Sequence, residues 1–320
     1  MLDIKNLTIN LNTINGSATA VRDLSFYLDK GETLGIVGES GCGKSLTALA
    51  IMGLLPENSW ASGVIKFDGQ NILDLSEKKL CKVRGNKIGM IFQEPMTSLN
   101  PLHTIGKQIA EPMVLHGKVK RNLVKKNVIN LLDMVGIPDP DKRFSSYPHE
   151  LSGGQRQRVM IAIALSCEPE ILIADEPTTA LDVTIQKQIL DLIKSLIKEL
   201  GMSMILISHD LAVIANNVNK IIVMYGGNCV EKGYTKNFLK NISHPYSKGL
   251  FSAIPTLDTS PKNSIRLKTI PGTVPEITEI PPGCTFQGRC DYVTGVCKKS
   301  FPGPKKISDG HEVFCFNINI

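Results

Sequence analysis

The chain has 320 residues, 42% of them hydrophobic and 21% charged, with a net charge of +6. This balance excludes a disordered chain and allows one to three domains with a sizeable core, while so modest a basic excess selects neither nucleic acid nor lipid as a partner. The apolar runs have strand length, well below the roughly 20 residues that span a bilayer, and the first residues lack the pattern of a secretory signal, so the reading is a cytosolic chain unless a partner holds it at a membrane.

Residues 2–11 and 20–29 alternate apolar and polar around Asn15-Gly16, which predicts an antiparallel hairpin. Thr33 to Val37 reads as a buried strand, and Ser45 to Leu55 as a helix stopped by Pro56. Val64 to Phe67 and Ile88 to Phe92 are further strands. From about Pro95 to Cys167 strand-like runs vanish and helical spacing takes over, as in Leu123 to Val135. Strands then alternate with helices again: Ile171 to Ala174, Thr184 to Leu200, Met204 to Ile207, Leu211 to Val218 and Ile221 to Met224. Such alternation predicts an α/β chain with parallel strands covered by helices. After Ile254 the character changes once more. Eight prolines lie between Pro255 and Pro304, which predicts a loop-rich tail. The basic run from Lys118 to Lys126 reads as a solvated helix face.

Gly38-Glu39-Ser40-Gly41-Cys42-Gly43-Lys44-Ser45 follows a strand and opens a helix. Its glycines let successive backbone N–H groups turn inward on phosphate oxygens. Lys44 adds a point charge near the outer phosphates, Ser45 offers a hydroxyl to Mg²⁺, and the helix start adds its positive end. Cys42 fills a variable position of the pattern and reads as a spectator. Further on, Glu170 to Ala174 is an apolar strand ending in Asp175 and Glu176. By itself this is an ordinary solvated strand end. Joined to the phosphate loop, it places Asp175 in the Mg²⁺ shell and makes Glu176 the general base that polarises the attacking water.

Leu151-Ser152-Gly153-Gly154-Gln155 resembles the signature motif of the ATP-binding cassette family. Gln93 resembles its Q-loop glutamine, Ala180-Leu181-Asp182 its D-loop, and Ser208-His209-Asp210 its histidine switch. The motifs occur in the family's order across about residues 1–250. The resemblance implies a P-loop NTPase with a RecA-like core sheet, an N-terminal antiparallel β subdomain and a helical insertion over about residues 95–167. It implies residues 1–254 as the cassette and 255–320 as the tail. ATP then lies between the phosphate loop of one subunit and Ser152, Gly153 and Gly154 of another. Mg²⁺ is held through Ser45, Gln93 and Asp175, and His209 contacts the γ-phosphate. At Leu11 this sequence departs from the family, which places an adenine-stacking aromatic there.

A narrower resemblance is to the ATPase subunits of oligopeptide, dipeptide and nickel importers. It rests on Gly31 to Ser40, Phe92 to Pro101, His244-Pro245-Tyr246-Ser247 and Pro281-Pro282-Gly283-Cys284. Arg158 to Leu165 is closer to the first ATPase of the usual pair. This implies import of peptides, with nickel or a metal chelate as the alternative cargo. The partners implied are a second ATPase subunit, two membrane permeases and an extracytoplasmic substrate-binding protein, with no nucleic acid, at the cytoplasmic face of the membrane. A DNA-associated cassette ATPase is the remaining rival, and it lacks support here because the insertion is too short for a coiled coil. Cys284, Cys290, Cys297 and Cys315 lie in the tail at spacings unlike tight zinc pairs or ferredoxins. Some relatives of these importers carry an iron–sulfur cluster at the equivalent place. That implies a [4Fe–4S] cluster on the four thiolates, with Zn²⁺ as the alternative and with Arg289, Lys298 and Lys299 offsetting its charge.

Overall fold

The computed structural model describes residues 1–14, 16–93, 98–179, 181–253 and 269–318. In chain order the strands are β1 (Leu2–Thr13), β2 (Gly16–Leu28), β3 (Thr33–Val37), β4 (Ser59–Phe67), β5 (Gln70–Asn71), β6 (Ile88–Ile91), β7 (Ile171–Asp175), β8 (Ser203–Ser208), β9 (Lys220–Tyr225), β10 (Asn228–Tyr234), β11 (Lys305–Ser308) and β12 (His311–Val313). The helices are α1 (Lys44–Met52), α2 (Glu77–Val83), α3 (Ile105–Leu115), α4 (Val124–Met134), α5 (Pro140–Arg143), α6 (Gly153–Leu165), α7 (Val183–Leu200), α8 (Leu211–Asn217), α9 (Thr235–Lys240) and α10 (Pro245–Ser252). Contacts divide the chain into one unit of Met1–Leu28, Thr33–Leu73 and Ile207–Ile320, and another of Asp29–Glu32 and Asp74–Leu206.

The first unit holds an antiparallel sheet in the order β2-β1-β4-β5 and a second set of strands in the order β11-β12-β10-β9-β3. The predicted hairpin is present, with Leu2, Ile4, Leu7 and Ile9 buried along β1, although Asn15 lies outside the described residues. β4 begins five residues before the predicted start. Its early alternation is interrupted at Gly63, where β1 bulges and a Cβ would lie 2.4 Å from the Asn6 carbonyl oxygen. β3 and β9 are parallel. Gly35 of β3 lets α8 lie against the strand, since a Cβ there would meet Ile214 at 2.3 Å. Helix α1 stops at Met52, short of Pro56, because Gly53 turns into the left-handed region at φ 62° and caps the Ala50 carbonyl.

The described part of the tail, residues 269–318, holds two strands that its prolines do not predict. β12 pairs antiparallel with both β11 and β10. These strands of three or four residues carry too little alternation to be read from sequence, and β10 hides behind its polar content, which includes the fully buried Glu231. That carboxylate accepts the backbone N–H groups of Ser243 (2.8 Å) and His244 (3.0 Å), and it meets Nε2 of His311 on β12 at 2.9 Å. A buried carboxyl group so partnered fastens β10, β12 and the start of α10 together.

His244 caps α10 by accepting the Tyr246 N–H at Nδ1. Burial pushes its imidazole down to about 4, against the opposing pull of Glu231. The folded chain therefore keeps His244 neutral while the unfolded chain takes up a proton below about 6.5. Stability is complete above that value and is lost as pH falls from about 6.5 towards 4, by about 2 kcal/mol at pH ~5. His244→Asn keeps an acceptor at the helix cap without the titration. Urea unfolding at pH ~7.5 and ~5 should show the wild type losing about 2 kcal/mol more than this variant.

In the second unit the strand order is β8-β7-β6, with β6 and β7 parallel. Every residue of β7 and β8 is buried, which is why they read as continuous apolar runs. Helix α7 buries Ile189, Ile193, Leu196 and Ile197, a stripe at helical spacing, and ends at Gly201 with φ 62°. The helical insertion is present as α3 to α6. The basic residues of the run over Lys118–Lys126 are exposed, but Lys118, Lys120 and Arg121 precede α4 and only Lys125 and Lys126 lie on it, so the run is not the single helix face expected. Among the described residues no helix is long and apolar enough to cross a membrane.

Candidate nucleotide site

The phosphate loop closes the turn between β3 and α1. Gly41 and Gly43 lie at φ 80° and 93°, and Gly43 is the residue before the helix. A Cβ at Gly43 would lie 2.6 Å from Val21 and 2.8 Å from the Ala20 carbonyl oxygen, so only glycine fits both the conformation and the space. Lys44 is 5% exposed and its ammonium turns back across the loop, donating to the carbonyls of Gly38 (2.7 Å) and Glu39 (3.0 Å). That holds a positive charge against the loop beside a helix start, an arrangement suited to a polyphosphate. Cys42 is buried, and burial raises its thiol pKa despite Lys44. It is held as a poor nucleophile, in keeping with a spectator.

Asp175 ends β7 and is 4% exposed, while Glu176 follows in the left-handed region at φ 46°. A non-glycine residue there costs on the order of 1–3 kcal/mol. The kink turns the Glu176 carboxylate to Thr179, whose hydroxyl donates at 3.0 Å, and to Gln93, whose Nε2 donates at 3.4 Å. The structure thus joins two predicted residues, Gln93 and Glu176, across 83 positions. Thr179 was not anticipated, since a hydroxyl three residues after an acid carries no signal of its own.

Ser152 has a second task that its motif does not reveal. Its hydroxyl accepts the Gln155 N–H while Gln155 Oε1 accepts the Ser152 N–H, a capping box that starts α6. Gly153 and Gly154 form the first turn, and a Cβ at Gly154 would lie 3.0 Å from the Ile185 side chain. Asp182 likewise caps α7 by accepting from Ile185, and Leu181 precedes it. Asp210 caps α8 by accepting from Ala212 (2.7 Å) and Val213 (3.3 Å), with its own N–H on Ser208. His209, exposed, is thereby fixed between a strand end and a helix start. Ala180 and residues 94–97 of the Gln93 stretch lie outside the described residues.

Leu11, half-buried, lies opposite Ala18 and Ser59 near the end of β1. Cys284, Cys290, Cys297 and Cys315 together line one small cavity of about 10 Å³. Burial raises the thiol pKa of Cys284 to about 11, and neighbouring thiols add to the shift. Burial likewise raises Cys290 and Cys315. Among the described residues no group of three or more His, Cys, Asp or Glu side chains is arranged to hold a metal ion. Arg289, expected to offset the charge of a cluster, gives its N–H donors to Glu39, Tyr225, Ile270 and Pro271.

Residues 21–179 match the family model of the ABC transporter, and residues 230–297 that of the oligopeptide/dipeptide transporter C-terminal region. The chain is 48% identical over 318 residues to the dipeptide transport ATP-binding protein DppD of Bacillus subtilis (strain 168), covering 99% of this chain and 94% of the relative. It is 46% identical over 316 residues to the oligopeptide transport ATP-binding protein OppD of Escherichia coli (strain K12), covering 99% and 93%. Among solved structures it resembles the ATP-binding cassette MJ0796 in a dimeric post-hydrolysis state bound to ADP and Pi. That match has TM-score 0.66 and 30% identity, covering 73% of this chain and 99% of that one. It also resembles cbiO1 from Clostridium perfringens, part of the ABC transporter complex cbiONQ, with TM-score 0.63 and 31% identity over 75% and 90% of the two chains. Near-half identity over almost the whole length, joined to a phosphate loop, a carboxylate pair and a capped signature helix, places this chain in the ABC transporter family, among ATPases with the oligopeptide/dipeptide transporter C-terminal region.

Proposed function

We propose that this chain hydrolyses ATP to power a membrane importer of peptides. What carries the reading is that similarity to DppD and OppD runs through the tail as well as the cassette. In this reading residues 1–254 form the cassette and 255–320 the tail. Lys44 and the loop N–H groups bind the phosphates. Ser45 and Asp175, with Gln93, supply the oxygen donors that suit Mg²⁺. Glu176 takes a proton from the attacking water, held for that by Thr179 and Gln93. His209 meets the γ-phosphate. Ser152, Gly153 and Gly154 close over the ATP of a second ATPase subunit, and Leu181 and Asp182 face the same partner. The chain works as the first ATPase of a heterodimer, peripheral on the cytoplasmic side, beneath two permeases fed by an extracytoplasmic binding protein.

The tail is the second part of this reading. Four thiols drawn from separate turns line one cavity; thiolates are the donor type that suits an iron–sulfur cluster, or else Zn²⁺, although as they stand they are not arranged to hold a metal ion. Loading has to deprotonate them and spread the cavity, since about 10 Å³ admits no more than a water-sized group. One preparation tests both parts. Extracted anaerobically from membranes, the chain should come with its permeases and a second ATPase, and its ATPase rate should rise when peptide-loaded binding protein is added. The same sample should contain iron and acid-labile sulfide. Stimulation by a nickel chelate and not by peptide would reassign the cargo, and recovery as a DNA-associated soluble protein would overturn the importer. A colourless zinc-loaded sample would remove the cluster, and a metal-free one would remove both metals.

A further inference from the structure

Glu39, the second residue of the phosphate loop, is held at three points. Its carbonyl accepts from Lys44 at 3.0 Å. Its N–H donates to the Tyr246 hydroxyl at 2.9 Å. Its carboxylate accepts both terminal nitrogens of Arg289, 250 positions later, at 2.5 and 3.1 Å. The Arg289 side chain is 7% exposed and that of Glu39 30%, so this fork-to-carboxylate pair is far from the exposed bridges that contribute little.

Arg289 is itself fixed. Its Nε donates to the Pro271 carbonyl at 2.8 Å and Nη2 to that of Ile270 at 3.2 Å. Nη1 also reaches the Tyr225 hydroxyl at 3.3 Å, and the guanidinium lies 5.7 Å from that ring's centre. Tyr225 packs edge-on against both Tyr246 and Phe286, with ring centres 4.7 and 5.1 Å away. The two side chains that grip Glu39 therefore share one aromatic cluster, and Phe286 brings the tail into it.

We propose that Arg289 is a positioning residue for MgATP binding: through Glu39 the tail holds the phosphate loop in its nucleotide-binding shape. The proposal rests on the reading of that loop as the ATP cradle. A loop that binds through backbone N–H groups works only while those groups converge, and small displacements of binding groups are costly. The Glu39 N–H is taken by Tyr246, so this residue anchors the loop to the protein instead of to phosphate. An arginine that merely fastened the tail would affect melting and leave the affinity of the folded chain for MgATP alone.

The test measures MgATP affinity and steady-state hydrolysis in the full-length chain for Arg289→Ala, Glu39→Gln and the double variant. Each single variant should raise the Kd and KM for MgATP about tenfold, close to the worth of one charge-assisted pair. For Arg289→Ala the rate at saturating ATP should change by less than about threefold, because that residue touches none of the catalytic groups. The double variant should be no worse than either single one, the signature of one shared interaction. Unchanged affinity in folded Arg289→Ala would reduce Arg289 to a tail fastener. Should Arg289→Ala fail to fold, Glu39→Gln decides alone, a raised Kd supporting the proposal and an unchanged Kd overturning it. Wild-type chain that binds no MgATP would instead remove the phosphate-loop reading underneath.

Discussion

Glu176→Gln should bind MgATP within about threefold of the wild type yet hydrolyse it about 10²–10⁴ times more slowly, the usual contribution of a positioned general base. The substitution is nearly isosteric, and its side-chain oxygen still accepts from Thr179 and Gln93, which reach the carboxylate at 3.0 and 3.4 Å. The left-handed backbone at φ 46° is no worse for glutamine than for glutamate. Binding and fold should therefore survive, and what disappears is the capacity to take a proton from water. Single-turnover hydrolysis beside a nucleotide-binding titration separates the two effects. Turnover near the wild-type rate would take Glu176 out of the reaction and leave the strain at its φ without a chemical purpose.

The contrast between what the sequence discloses and what it conceals follows from range. Phosphate loop, carboxylate pair and signature motif are local strings whose chemistry demands fixed neighbours, so Lys44, Ser45, Glu176 and Ser152 are legible one after another. β3, β7, β8 and β9 are legible because burial on both faces leaves runs of Ile, Leu and Val. The groups that hold these parts in place come from far away and look ordinary. Arg289 sits among prolines and cysteines, Tyr246 stands in a motif that says nothing of its partner, and Glu231 lies in a polar stretch that gives no sign that it is fully buried. Each shows its role only when a partner 80 to 250 positions distant arrives. The short strands β11 and β12 were illegible for the same reason, because pairing with β10 rather than intrinsic pattern makes them strands.

Lys44→Ala should fail at the step that Glu176→Gln preserves. The Lys44 ammonium is nearly buried and already oriented by the carbonyls of Gly38 and Glu39, so little entropy is lost when phosphate meets it. A charge-assisted contact of this kind contributes about 1.5–3 kcal/mol, which corresponds to a loss of affinity of about 10- to 150-fold. The fold should lose only about 1 kcal/mol, from two carbonyls that must find other donors. Lys44→Arg is not a mild replacement, because a planar fork cannot take the place of a compact ammonium at a residue only 5% exposed, and it should bind nearly as poorly as alanine. Titration with MgATP reads the difference directly: a weakened Kd with a near-normal melting transition is the expected pair of results. If Lys44→Ala keeps the wild-type Kd, the charge centred in the loop is not the one that holds the phosphates, and binding would have to rest on the N–H groups of the loop and the start of α1 alone.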